Sequence, residues 1–276
     1  INSKEELLSL RLWITQMVKN MENKTSLLVC NNIDITSQIS IHIPTVGEIL
    51  NDEQGYYNIV GQIIASPYSR MVELDDIGID FTTITDFDLF IMYAAIIFSQ
   101  DLSLIFGNTF KSLKEKILDE KISLELKEKF LRIIYKTDNN EKCLYDAVDD
   151  IIIDNNTYQL IADTIRKIND FSKETRKPGN ESAKKYLLEK KRRYQKRHAK
   201  DKYKPVLESL VISLVNKQEF KYNYEQVIDL SIYKFNCSLK QIQHSVNFDK
   251  LMIGVYAGTV DTTKITDKKA LTWISD

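Results

Sequence analysis

The chain has 276 residues, 43% of them hydrophobic, enough to bury a large core as one big domain or two ordinary ones. Its 38 basic and 39 acidic residues give a formal net charge of -1, so no overall field draws it to nucleic acid or membrane. With 8 glycines, 4 prolines and no apolar run near 18 residues, a turn-rich sandwich or barrel and a membrane span are both disfavoured.

The pattern Ser3 to Glu6 reads as a capping box opening a helix over residues 3–22, with no apolar run long enough for a signal peptide. Leu27–Cys30 and Ile39–Ile43 are β-branched or apolar runs that predict a small hairpin or edge ribbon. A helix is expected from Thr45-Val46-Gly47-Glu48 and another over Tyr56–Ile64, stopped by Ser66-Pro67. Leu74–Phe81 reads as a loop or very short helix. Asp86 is then expected to cap a helix over Phe87–Phe98, so apolar all round that it belongs in the core.

Leu102–Phe106 before Gly107-Asn108 fits a short strand and turn, and Leu144–Ile153 a strand or a helix, with a hydrophilic helical stretch Leu113–Leu126 between them. Thr157 is expected to cap an amphipathic helix with Leu160, Ile161, Ile165 and Ile168 on one face. Lys177-Pro178-Gly179-Asn180 is the strongest breaker, and a basic helix runs from Glu181 to about Lys202 before Pro205. Val206–Val215, Tyr224–Leu230, Ser238–His244 and Phe248–Tyr256 read as further helices, the first of them buried. The expected fold is mainly α, a multi-helix globular protein with a small β-hairpin or edge ribbon in its N-terminal part. Its domains are 1–176, helical with the β element, and 181–276, helical with the basic helix first, unless helices pack across the breaker into a single unit.

Cys30, Cys143 and Cys237 are too far apart for a disulfide framework or a CxxC site and read as reduced, buried thiols of a cytosolic setting. Phosphate-binding glycine loops, nucleophile elbows and paired zinc histidines are absent, so no catalytic residue, metal or cofactor is expected. His42, His198 and His244 stand singly and read as structural. Asp75, Asp76 and Asp80 lack EF-hand spacing and read as capping or loop residues, while Asp146, Asp149, Asp150 and Asp154 call for counter-charges on the basic surface. Glu219-Phe220-Lys221 matches half of a metal-nuclease pattern, but three residues in a Glu- and Lys-rich chain arise by chance.

Charge is unevenly placed: acidic from Glu73 to Asp101, basic from Lys173 to Lys204. Lys184, Lys185, Lys190, Lys191, Arg192, Arg193, Lys196, Arg197 and Lys200 would cover about two-thirds of a helix, leaving Tyr186, Leu187 and Tyr194 as a narrow apolar stripe. Such a helix either neutralises nucleic-acid phosphates, with strong salt dependence, or meets an acidic surface in this chain or a partner. Tyr222, Tyr224, Tyr233, Phe235 and Phe248 form an aromatic-rich region read as core first, then protein interface, then stacking platform.

Several strings resemble a family of tail-morphogenesis proteins from tailed bacteriophages of low-GC Gram-positive hosts. They are Ile41-His42-Ile43-Pro44-Thr45-Val46-Gly47-Glu48-Ile49, Leu74–Phe81, Ser103–Gly107, Lys177–Asn180, Glu219–Tyr224, Ile232–Asn236, Gly254–Asp261 and Leu271–Ile274. The resemblance implies a non-enzymatic tail assembly chaperone or scaffold binding tape-measure or tail-tube protein in the host cytoplasm, with a permanent, self-associating virion subunit as the alternative. A nucleic-acid-binding protein using helix 184–204 is the rival from another class. On the chaperone reading, Tyr222, Tyr224, Tyr233, Phe235, Tyr256 and Trp273 supply apolar contact and Arg192, Arg193 and Arg197 a charged rim.

Overall fold

The computed structural model describes residues 26–136, 141–174 and 177–275, so the helix expected over 3–22 lies outside the described residues. The protein is mainly α-helical, with two small antiparallel sheets among the described residues.

β1 (Asn32–Asp34) pairs with β2 (Ser40–His42), Ile33 opposite Ile41. The hairpin is therefore present, but its first strand is not Leu27–Cys30. Ser26 turns the chain there, its hydroxyl accepting from the Leu28 N–H (3.3 Å) and its carbonyl from the Val29 N–H (3.0 Å), a local competition with the ladder typical of serine.

Thr45 N-caps α1 (Val46–Asn51) through a reciprocal box with Glu48, and Asp52 caps α2 (Glu53–Ile63) by accepting from Gly55 N–H at 2.9 Å. The short α3 (Met71–Asp76) follows. Thr85, not Asp86, caps α4 (Asp86–Phe98): its hydroxyl accepts from Asp88 N–H while the Asp88 carboxylate accepts from Thr85 N–H. α4 buries Phe87, Leu89, Phe90, Ala94, Ile97 and Phe98, but Met92 and Ile96 face solvent, so it is one-sided despite its composition.

Residues Ser103–Phe106 form α5, a single helical turn where a strand was expected, because Leu102, Ile105 and Phe106 are buried together at the i, i+3, i+4 spacing that only a helix provides. Gly107 ends it at φ 57°. The hydrophilic stretch divides into α6 (Lys111–Leu118) and α7 (Leu124–Phe130). The second sheet has order β3-β4-β5, from β3 (Leu131–Tyr135), β4 (Lys142–Asp146) and β5 (Ile151–Ile153), and so resolves Leu144–Ile153 in favour of strand.

Asp154, not Thr157, caps α8 (Asn155–Asn169), accepting from Thr157 N–H at 2.8 Å. α8 buries Tyr158, Ile161, Ala162, Ile165 and Ile168; Tyr158 donates to the Ile63 carbonyl at 3.1 Å and its ring lies 4.8 Å from that of Phe90. Then come α9 (Glu181–His198), α10 (Leu207–Val215), α11 (Tyr224–Ile228) and α12 (Ile232–Tyr256), followed by two 3-10 turns. α12 is continuous where two shorter helices were expected, since no glycine or proline interrupts the sequence before Gly254.

One hydrophobic cluster joins Ile41, Val46, Val60, Phe90, Ile161 and their neighbours to Leu207, Val211, Leu214, Val227, Ile232 and Phe235. Main-chain bonds stitch the same junction: Val46 N–H donates to Leu230 and Ile232 N–H to Pro44, both at 2.8 Å. Gly47 permits the contact of α1 with α11, because a Cβ there would stand 2.4 Å from Ile228 Cγ2. Residues on both sides of Lys177–Asn180 thus share a core. No helix among the described residues is long and apolar enough to cross a membrane.

Candidate functional site

Asn180 starts α9 by accepting from Ala183 N–H at 2.8 Å. Between Lys184 and Lys204 the sequence carries eleven basic residues against Glu189 and Asp201, and the fold divides them between two faces. Lys184, Leu188 and Arg192 recur every four residues and so line one side of the helix. Leu188 is buried against Ala65, Met71, Val72, Leu74, Phe81 and Leu89. Lys184 Nζ meets Asp80 at 2.5 Å and lies 5.9 Å from the centre of the Phe81 ring, while Arg192 reaches both Asp75 and Asp76 at 2.6 Å. Hydrogen bonds from Lys184 and then from Thr82 hold the Asp80 carboxyl down at about 2, and those from Arg192 to Asp75 and Asp76 raise the guanidinium further. The acidic strip expected to be capping or loop residues is the counter-surface of the basic helix.

On the other side, Lys185, Lys190, Arg193, Lys196 and Arg197 are exposed and, among the described residues, none meets an acidic side chain; Arg193 Nε donates to the Glu189 carbonyl at 3.3 Å. At 100° per residue these five fall within one half of the helix, with Glu189 the single acid among them. Tyr186 and Tyr194, expected in an apolar stripe, stand on this face, each 58% exposed, and Tyr194 rests on the His198 ring at 4.3 Å. Leu187 and Leu188 are the residues that face the protein. Lys200, Lys202 and Lys204 continue the exposed positive surface beyond the helix.

The aromatic residues expected to bind a partner do not converge. Phe235 is 0% exposed in the core and Tyr233 is packed against it, so Phe235 contacts no partner. Tyr222 and Tyr224 are exposed near α10, Tyr224 accepting from Asn216 Nδ2 at 3.2 Å. The Trp273 carbonyl accepts from Gln241 at 2.7 Å, whereas Tyr256 ends α12 fifteen residues later, about 22 Å along a helix rising 1.5 Å per residue. Arg192 is committed to Asp75 and Asp76; Arg193 and Arg197 remain available.

Most of the other polar groups singled out in the sequence are engaged within the fold, whereas the Oδ2 atoms of Asp146 and Asp149 are buried with no hydrogen-bond partner among the described residues. His42 contacts Asn32 and Glu48, His198 contacts Asp201, and His244 donates to the Thr272 carbonyl at 2.7 Å. Asp154 pairs with Lys136 and Asp150 accepts from Tyr145, so the second acidic set does not meet the basic helix. Glu219 and Lys221 lie on an exposed loop. Cys143 is buried, but Cys30 and Cys237 are half-buried rather than fully enclosed. Among the described residues, no group of three or more His, Cys, Asp or Glu is placed to hold a metal ion.

Residues 197–276 match the family described as YomV second domain, a phage-derived family of the Bacillus phage SPBeta region, which suggests a phage protein. The match begins in the last turn of α9 and includes the resembling strings from Glu219 onward. No curated protein and no solved structure matches the chain.

Proposed function

We propose that this phage protein acts by binding rather than catalysis, and that the outward face of α9 engages the phosphate backbone of a nucleic acid. The observation that carries this reading is the division of the helix. Lys184 and Arg192 are neutralised by the protein's own acids, while Lys185, Lys190, Arg193, Lys196 and Arg197 have no acidic partner among the described residues. These five cations, spread over thirteen residues, extend about 18 Å at the helical rise of 1.5 Å. A chain with net charge -1 that presents such a strip attracts polyanions locally, whatever its overall field. Fluorescence anisotropy with labelled single- and double-stranded oligonucleotides at 50 and 200 mM salt tests it. Binding should weaken by orders of magnitude over that range; no binding at the lower salt overturns the reading.

A second reading is tail morphogenesis through protein contacts, with tape-measure or tail-tube protein as partner in the host cytoplasm, or incorporation into the virion; the family match supports a phage setting for it and nothing finer. Tyr222, Tyr224, Tyr256 and Trp273, all exposed within the matched segment, are apolar contacts available to it. Affinity capture from phage-producing cells at about 0.3 M salt, where the Debye length is about 5 to 6 Å, suppresses phosphate attraction and leaves apolar partners. Recovery of a tail protein supports this reading, and a parallel search of purified virions separates chaperone from permanent subunit.

A further inference from the structure

We propose that β3 is a docking edge for a second copy of this chain, the two strands pairing antiparallel about a two-fold axis at Ile133. β3 ends the β3-β4-β5 sheet. Two flanking bonds fix which of its main-chain groups are already used: Lys136 N–H donates to Glu141 at 2.9 Å and Ala147 N–H to Phe130 at 2.8 Å. Antiparallel ladders alternate, so Ile134/Cys143 and Arg132/Tyr145 are also hydrogen-bonded pairs. The N–H and C=O groups of Leu131, Ile133 and Tyr135 therefore point away from β4. No backbone or side-chain group among the described residues meets them.

Natural edges are usually guarded by proline, lysine, a bulge or a covering element. β3 has no proline, lysine or bulge, and Ile133 and Tyr135 are 51% and 58% exposed. Arg132 does not guard it, since its guanidinium lies over the Tyr145 ring, 5.5 Å from the centroid.

A second copy fits because Leu131-Arg132-Ile133-Ile134-Tyr135 complements itself when reversed. With Ile133 on the axis it meets the partner's Ile133, and Leu131 meets the partner's Tyr135 on the same face, the aliphatic and aromatic pairings that stabilise sheets. On the opposite face Arg132 meets the partner's Ile134, so like charges are never directly opposed. The outward groups of three residues on each strand form about six main-chain hydrogen bonds, and two-fold closure leaves no further edge for filament growth.

Sedimentation velocity at rising protein concentration should show a reversible dimer for the wild type and a monomer for Ile133→Lys and Ile133→Pro. Both variants should keep the far-ultraviolet circular dichroism of the parent, since the Ile133 N–H serves no bond among the described residues. The register has its own test, which also decides the matter should either variant fail to fold. In a chain carrying Cys30→Ser and Cys237→Ser, Ile133→Cys should oxidise to a disulfide-linked dimer, because a hydrogen-bonded pair has Cα atoms about 5.5 Å apart, within disulfide range. Arg132→Cys should not. A wild type that stays monomeric at every concentration, including one that pairs only with a strand of another protein, overturns the proposal, as does a dimer that survives Ile133→Lys.

Discussion

Replacing Glu53 by alanine should loosen the whole molecule, although the residue lies far in sequence from what it holds. Glu53 is buried at the start of α2, and its carboxylate accepts from Tyr203 Oη at 2.8 Å, Val206 N–H at 2.9 Å and Leu207 N–H at 3.2 Å. The last two open α10, which has no side-chain cap of its own, so the first orphan donors of that helix are satisfied from α2. Burial and then the Glu53 carboxylate push the Tyr203 phenol up to about 12. In Glu53→Ala, Tyr203 can turn to water, while Leu207 N–H is left without a partner and Val206 N–H partly so, at about 1–3 kcal/mol for each buried donor. Losing an anion at a helix N-terminus adds about 0.3–1 kcal/mol. We expect a loss of about 3 kcal/mol, which at about 2–4 °C per kcal/mol for a chain near this length lowers Tm by roughly 6–12 °C. Glu53→Gln, which keeps one acceptor, should lose about half as much. Calorimetry should show one transition moving as a unit, because α2 and α10 contribute to one core. A loss below about 0.5 kcal/mol, smaller than an ordinary single hydrogen bond, or a new early transition carrying only part of the enthalpy, would refute the reasoning.

The two faces of α9 give contrasting variants. If all five outward cations neutralise duplex phosphates, log K should fall with log salt at a slope near -4.5, about 500-fold from 50 to 200 mM. The double variant Arg193→Ala, Arg197→Ala should reduce the slope to about -2.7, whereas Arg192→Ala should leave it unchanged, as measured by anisotropy. For Asp80, whose folded pKa is depressed to about 2, the stabilising pairing is present above the unfolded carboxyl value and is lost as pH falls through about 2. Thermal melts of Asp80→Asn and wild type should accordingly differ at pH 7 and converge on acidification from about 4 to 2, the span between the unfolded and folded values. Asp146 has the opposite sign. Burial, with the neighbouring Asp149 charge, raises its carboxyl, and its Oδ2 has no hydrogen-bond partner among the described residues. Asp146→Asn, which keeps the acceptor for Val148 and Asp149 N–H, should raise Tm at pH 7, and the gain should vanish below about pH 4, where the unfolded carboxyl is protonated as well.

Local signals were legible where side chain and backbone meet within four residues. Thr45 and Glu48 announce α1, and Ile161, Ile165 and Ile168 announce α8. The caps at Thr85 and Asp154 each lie a residue or a few before the expected ones, because any Ser, Thr or Asp near a helix start can accept and only the geometry chooses. Leu102–Phe106 is too short for periodicity to separate strand from turn of helix. The basic helix was plain in composition, but its division into neutralised and free cations was not. That division depends on Asp75, Asp76 and Asp80, more than a hundred residues away from Lys184 and Arg192. The recurrence of Lys184, Leu188 and Arg192 was the available signal. Phe235 shows the converse: aromatic density marks a core as readily as a surface.

α12 is anchored unevenly. Ile232 and Phe235 are buried in its first turn, Leu239 and Ile242 pack against the core, and beyond them Ile253 is 68% and Tyr256 85% exposed. Amide hydrogens of its opening turns should therefore exchange only on global unfolding, while those of the closing turns exchange through local fraying. Any partner that covers Tyr256 would thus register first as slowed exchange in that final stretch, before any change in the melting of the whole chain.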